Sequence, residues 1–271
     1  MIDFSYNGER LSDYGCIVVS INTAFSDSVQ ASTITFDTIK IRGNFSNNII
    51  NTRYDDVISA TFDICKNPCL FSEEKMEFSD GEISYFMRWL NQKEYYKFKP
   101  IYENDQYSDL YFYGTFSSIS LITISGKVYG FTLTFTANSP FGYVDDKEYN
   151  TSILETNGNF IFYDDSDEIG ILHPYFFKVE CLDSGDLKIS NDRYSDYTLI
   201  KNCKNGEILT MDCINKIIQS NLSHPSLYND FNYNYPKIIN NLSSRKNIFT
   251  VSIPCNITIQ YAPIRKAGIM V

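Results

Sequence analysis

Residues 130–138, GFTLTFTAN, place Phe131, Leu133, Phe135 and Ala137 at every second position, with Thr132, Thr134 and Thr136 between them. Successive side chains of a strand point to opposite faces, so this stretch has one apolar face and one hydroxyl face and cannot be an amphipathic helix. The same period runs through Ile58, Ala60, Phe62 and Ile64 in VISATFDICK. In STITFDTIKIRG it runs through Ile34 and Phe36, then resumes out of phase at Ile39 and Ile41, a strand pattern with one irregularity. The polar, Asn-rich NFSNNIINTRYDD that follows is expected to be a loop or a hairpin tip. With 21 Tyr and 20 Phe, large half-buried sheet surfaces are favoured over helical bundles.

One segment breaks the rule. In SDGEISYFMRWLNQKEYYKF (79–98), Ser79 and Glu82 have capping-box spacing. Ile83, Phe86, Met87 and Leu90 then share one helical face, flanked by Tyr85 and by Trp89, the single tryptophan of the chain. The pattern predicts a helix over about 80–92 docked on a sheet.

Turn chemistry divides the rest. Asn7-Gly8 and Asn205-Gly206 are hairpin signals, and Gly185-Asp186 marks a further turn. A β-branched run covers Ile17 to Ile21, and Ser139-Pro140 with Phe141-Gly142 ends the 130–138 strand. Residues 145–170 are acidic and turn-rich, which sets a boundary near 144–150 between a domain at 1–146 and one at 147–271. Whether the final strand, NITIQYAPI, packs in the second domain or returns to the first is left open. The second half, with short strands about ten residues apart, reads as a sandwich or jelly roll.

Composition narrows function. A net charge of −10 and a pI near 4.7 repel phosphate backbones, so no stable nucleic-acid binding is expected, while such a surface suits a wall that DNA slides past. The start, MIDFSYNGERLSDYG, carries Asp3 and Glu9 and lacks the apolar core of a secretory signal. No run approaches the roughly 18 apolar residues of a membrane span, so the expectation is a soluble, cytoplasmically made protein without membrane contact. Seven scattered cysteines argue against a disulfide framework. The close pair Cys65 and Cys69 has no second pair, with His173 and His224 distant in sequence, so no metal or cofactor is expected. The acidic group Asp164, Asp165, Asp167 and Glu168 lacks the glycine and distal glutamate of a helix-loop-helix calcium loop and reads as a solvated loop.

No phosphate loop, dinucleotide fingerprint or GxSxG elbow occurs. Both histidines precede proline in turn-like settings and read as structural surface residues, so no catalytic residue is nominated. Among 33 acidic residues nothing selects the carboxylate pair a glycosidase needs. In SLYNDFNYNYPK, Tyr228, Tyr233 and Tyr235 alternate with Asn and Asp, a combination that stacks on a sugar ring and bonds its hydroxyls, or equally an edge strand.

The order of segments resembles phage distal tail proteins, the family often called Dit. In the first half NGERLSDYG, FMRWLNQKEYYKF, DLYFYGTFSSI and GFTLTFTANSPFGY carry the likeness. In the second half it is carried by HPYFFKVECLDSGDLKISN, YTLIKNCKNGEILTMDC and FNYNYPKIINNLSSRKNIFTVSIPCNITIQYAPIRKAG. The chain departs from the family at NNLSSRKN (240–247), where a glycine usually closes the turn. The resemblance implies a mainly β protein. Its N-terminal β-sandwich would carry one helix and an extended hairpin, and its C-terminal sandwich would be galectin-like or carbohydrate-binding-module-like. It further implies a virion protein of the distal tail tip, assembled in the bacterial host cytoplasm. A homo-hexameric ring would join the tail tube protein to the tail-tip hub, or baseplate, and to receptor-binding proteins, and would let DNA pass. On that reading Trp89 and Phe86 are packing or ring-contact anchors. A host-wall carbohydrate-binding tail protein acting in host attachment is the alternative, and a tail-associated wall hydrolase stands last.

Overall fold

The computed structural model describes residues 1–19, 29–30, 34–43, 45–54, 57–103, 107–222, 224–241 and 244–270. The end of the β-branched run at 20–21 and part of the glycine-free turn at 242–243 lie outside them. Contacts divide the chain into a first unit, 1–144 with 265–271, and a second, 145–264.

The first unit is built on an antiparallel sheet. Its main path runs through Glu9–Arg10, Asp3–Tyr6, Tyr96–Ile101, Leu110–Ile124, Lys127–Ala137, Ser59–Lys66 and Cys16–Val19. The alternation seen in sequence becomes register here: Phe131 faces Ile64, Leu133 faces Phe62 and Phe135 faces Ala60 across the Lys127–Ala137 and Ser59–Lys66 pair. Asp3–Tyr6 and Ser59–Lys66 are separated by three strands, which in a flat sheet would put them about 19 Å apart. Instead the rings of Phe4 and Phe62 lie 5.6 Å apart, and Val18 N–H reaches the Ile2 carbonyl at 3.3 Å. The sheet bends over on itself, and the two faces of the bend enclose an aromatic core of Phe4, Phe62, Phe98, Phe116 and Phe135. An extra residue in Leu110–Ile124, opposite the Thr134/Phe135 step, supplies local bending of the kind β-bulges give.

The helix, α1, spans Asp80–Leu90, two residues shorter at its C-terminus than its periodicity predicts. Ser79 Oγ accepts from Glu82 N–H and Glu82 returns to Ser79 N–H at 2.8 Å, the reciprocal capping box. Glu82 also binds Lys66, whose side chain is buried and donates to the carbonyls of Lys75 and Glu77 at 3.2 and 2.8 Å. Burial works against the Glu82 carboxylate, yet the bonds from Lys66 and Ser79 hold its pKa below the ordinary value. The ammonium lies 5.3 Å from the Phe71 ring and 5.0 Å from that of Phe78, so one buried cation ties strand, loop and helix start together. Lys66→Met keeps the stem but strands those acceptors. A loss of about 2–3 kcal/mol in urea unfolding is expected, against under about 1 kcal/mol for an exposed ion pair.

The second unit is a two-sheet sandwich. One sheet orders Lys147–Ile153, Cys255–Tyr261, Phe176–Cys181, Ile208–Asp212 and Ile217–Ser220. The other orders Gly158–Tyr163, Lys246–Val251, Gly185–Asn191 and Tyr197–Cys203. Inward residues of Cys255–Tyr261 (Ile257, Ile259) and of Phe176–Cys181 (Phe177, Val179) meet Phe160, Phe249, Leu187 and Ile200 of the opposite sheet in one core. Residues 256–261 of NITIQYAPI thus pair within this sandwich, and the residues after Ile264 group with the first unit, where Ile269 pairs with Gln30. Asn205-Gly206 does turn the chain, with Gly206 at φ +78, but it carries it from one sheet to the other and closes no hairpin. The cysteines found buried (Cys16, Cys181, Cys203, Cys213 and Cys255) are free thiols. Burial pushes Cys16, Cys213 and Cys255 up to about 12, so they are inert packing groups.

Candidate functional site

Among the described residues, a two-stranded arm of the first unit carries a run of exposed apolar side chains. Ile34–Lys40 pairs antiparallel with Asn47–Tyr54, and among the described residues neither strand joins another sheet. The Asn-rich segment expected to be a loop or a hairpin tip does belong to a hairpin, but most of it is the second strand, because Ile49, Ile50 and Thr52 supply β-branched positions that pair with the strand before them. The irregularity in the sequence pattern has a counterpart: the register slips between Asp37 and Thr38, leaving Ile50 as the extra residue on the partner strand. Strand alternation puts Ile34 and Phe36 on one face and Ile39 on the other. Both faces are solvent-exposed, with Phe36 at 52% and Ile50 at 66%. The root is anchored, since the Tyr54 ring packs edge-on to Phe141 at 4.7 Å. A free two-stranded hairpin is marginal in water, and exposed apolar area on both faces, Ile34 and Phe36 on one and Ile39 on the other, is of the kind that marks an interaction surface.

Trp89 and Phe86, the candidate anchors, are both in the core. Trp89 stacks on Phe4 at 5.9 Å and donates Nε1–H to the Tyr6 carbonyl at 3.0 Å, and Phe86 stacks on Phe131 at 5.4 Å.

The three candidate glycan tyrosines do not form one platform. Tyr228 is 78% and Tyr233 62% exposed, whereas Tyr235 is 6% exposed and packs edge-on against Phe231 at 5.0 Å in the sandwich core. The segment is not an edge strand: a short helix, Leu227–Asp230, is followed by irregular chain in which Tyr233 has φ +59. The asparagines expected to bond sugar hydroxyls are already committed. Asn232 accepts from Leu199 N–H and donates to the Tyr197 carbonyl, to which Asn234 also donates. The cavity bounded by Tyr194, Tyr197, Asn234 and Tyr235 holds about 10 Å³, room for one water and not for a sugar ring.

His224 departs from the surface setting its sequence suggests. Its imidazole is 5% exposed, with Nδ1 2.8 Å from Glu207 Oε1 and Nε2 3.1 Å from Asp230 Oδ2. Both nitrogens are occupied, and the nearby Ser220 hydroxyl donates to Glu207 instead, so the cluster does not make a nucleophile–base pair. Glu207 lies 17 positions before His224, a separation to which no periodic pattern draws attention. Among the described residues, no group of acidic, histidine and cysteine side chains is arranged to hold a metal ion, and no helix is long and apolar enough to cross a membrane.

Family models match both halves of the chain, phage tail protein N-terminal domain over 1–139 and phage tail C-terminal domain over 141–261. The chain belongs to this phage tail protein family. The tail protein also shares the fold of the SPP1 Dit protein, described as a paradigm of the hub adsorption apparatus in phages infecting Gram-positive hosts. That likeness has a TM-score of 0.64 at 11% identity and covers 97% of this chain and 99% of that one. A chain of the phage P2 baseplate in its activated conformation aligns over 96% of this chain and 98% of its own, at 10% identity and a TM-score of 0.49. No curated protein matches the tail protein in sequence. The family models thus bear out a phage tail protein, and the fold shared with the SPP1 Dit protein agrees with the resemblance drawn from segment order.

Proposed function

We propose that this tail protein is the ring-forming structural adaptor at the distal end of the tail. In this reading six copies close a ring that joins the tail tube protein to the tail-tip hub and, through it, to receptor-binding proteins, and the acidic ring passes DNA without holding it. The two units act as separate domains, the first of them forming the ring, and the protein works without a catalytic step. The observation that carries the reading is the arm at 34–54, a rooted hairpin with apolar side chains on both faces and, among the described residues, no strand of another sheet against it. Ring closure gives every such arm an identical neighbour and leaves no free end, which is how symmetric assemblies remove exposed edges.

The test is the solution mass of the purified protein by light scattering on a sizing column, with negative-stain images of the peak. A six-fold ring with a central hole is the expected result. A stable monomer at high concentration that binds wall glycan would instead favour the second reading, a carbohydrate-binding tail protein. That reading rests on the exposed Tyr228 and Tyr233, braced by the 3.0 Å bond from the Tyr233 hydroxyl to the Tyr228 carbonyl.

A further inference from the structure

The sandwich unit contains an arrangement that the adaptor reading does not use. His224 sits between two carboxylates that come from different elements. Glu207 belongs to the crossover between Tyr197–Cys203 and Ile208–Asp212, and Asp230 ends the short helix Leu227–Asp230. Carboxylates only accept hydrogen bonds, so both contacts are satisfied only when both ring nitrogens carry a proton. A neutral ring has one N–H and must leave the other nitrogen facing an oxygen lone pair. The two arms are unequal. The Glu207 side chain is 1% exposed and also held by the Ser220 hydroxyl at 2.7 Å and Lys204 N–H at 2.9 Å, whereas that of Asp230 is 13% exposed and has the Asn202 side chain as its other hydrogen-bond partner.

We propose that His224 is a proton-operated latch: its imidazolium ties the Leu227–Asp230 helix, with the exposed Tyr228 on it, to the Glu207 crossover, and loss of the proton frees the helix. The neutral ring keeps Glu207 and gives up Asp230, so the pH-dependent change is confined to the 224–231 segment. The other groups facing the cluster fit this order. Lys204 lines the adjoining cavity of about 160 Å³, Asn202 and Lys201 stabilise the Asp230 carboxylate that the neutral ring gives up, and the neighbouring Cys203 thiol stays protonated because its hydrogen bond with Cys181 and burial raise its pKa. Burial opposes the His224 charge, but the bonds and field of Glu207 and Asp230 outweigh it and raise the pKa above the ordinary value. A raised folded-state pKa means the latch is complete below the unfolded value of about 6.5 and is lost as pH climbs through the folded one. His173 behaves oppositely, because burial and then Lys216 and Lys237 lower its pKa.

The chain has 2 histidines, so both can be followed by imidazole NMR on the intact protein while hydrogen exchange reads the backbone. His224 is expected to titrate above His173. The amides of Leu227, Asn229, Asp230 and Phe231, each hydrogen-bonded within the turn, should lose about tenfold protection through the His224 titration after correction for intrinsic exchange, as the loss of one charge-assisted hydrogen bond implies. Strand amides of Val179 and Leu209 serve as the unchanged reference. Asp230→Asn, which keeps the shape of the side chain, should lower the His224 midpoint. The proposal is overturned if His224 titrates at or below His173, if the turn amides exchange uniformly across the titration, or if folded D230N leaves the midpoint where it was.

Discussion

Trp89→Ala is expected to destabilise the first unit by about 4 kcal/mol, within the range for deleting a buried aromatic from a close-packed core. Three contributions act in the same direction. The indole is almost fully buried, so its removal leaves a cavity bounded by Phe4, Tyr14 and Phe86, whose rings lie 5.9, 5.4 and 5.8 Å from it. Those neighbours belong to a strand, a 3₁₀ turn and the helix itself, which cannot all move inward together. The Tyr6 carbonyl also loses the indole N–H it accepts at 3.0 Å. Trp89→Phe separates the effects, keeping an aromatic ring while deleting the hydrogen bond, and about 1–2 kcal/mol is expected for it. Urea unfolding followed by far-UV circular dichroism is the suitable measurement, because the only tryptophan is the one removed. A loss below about 1 kcal/mol for Trp89→Ala would mean that the helix is not fastened to the sheet through this residue.

The second large effect concerns assembly and leaves folding nearly untouched. Phe36→Asp and Ile39→Asp place one charge on each face of the arm, at positions open to solvent in the single chain. In the isolated subunit each change is expected to stay within about 0.5 kcal/mol, as at other exposed sites. In a ring that covers the arm, each carboxylate loses water without a partner, at a cost of several kcal/mol per contact repeated at every subunit boundary. The double variant should therefore elute as a folded monomer with unchanged far-UV spectrum, and the single variants should report which face of the arm is covered. A ring that survives both changes would show that the arm is not the subunit contact.

These two predictions draw on residues of different legibility. The helix around Trp89 was readable because its signals are local: Ser79 and Glu82 satisfy each other over three residues, and the apolar face repeats every turn. The strand faces of 58–64 and 131–137 were readable for the same reason, since pleating links each side chain only to its neighbour two positions on. The second strand of the arm was missed because Asn is a turn former in isolation, and only pairing with Ile34–Lys40 outweighs that preference. His224 looked like an ordinary turn histidine because Glu207, its more deeply buried partner, is contributed by a crossover between two sheets.

Tyr233 and Tyr235 show the division most plainly. Two positions apart in an even alternation of Tyr and Asn, they are indistinguishable in sequence, yet one is exposed and the other lies in the core. The β class, the single capped helix, the acidic surface and the order of segments that marks a phage tail protein were all determined by the sequence itself, because each rests on local periodicity, composition or succession. Tertiary structure alone decided that the first sheet folds over to bring Phe4 against Phe62, that Phe36 and Ile39 of the arm stand exposed and that His224 bridges two carboxylates. A local pattern settles which side chains share a face. Which face is then covered depends on strands and loops brought together from distant parts of the chain, and only the folded protein contains that information.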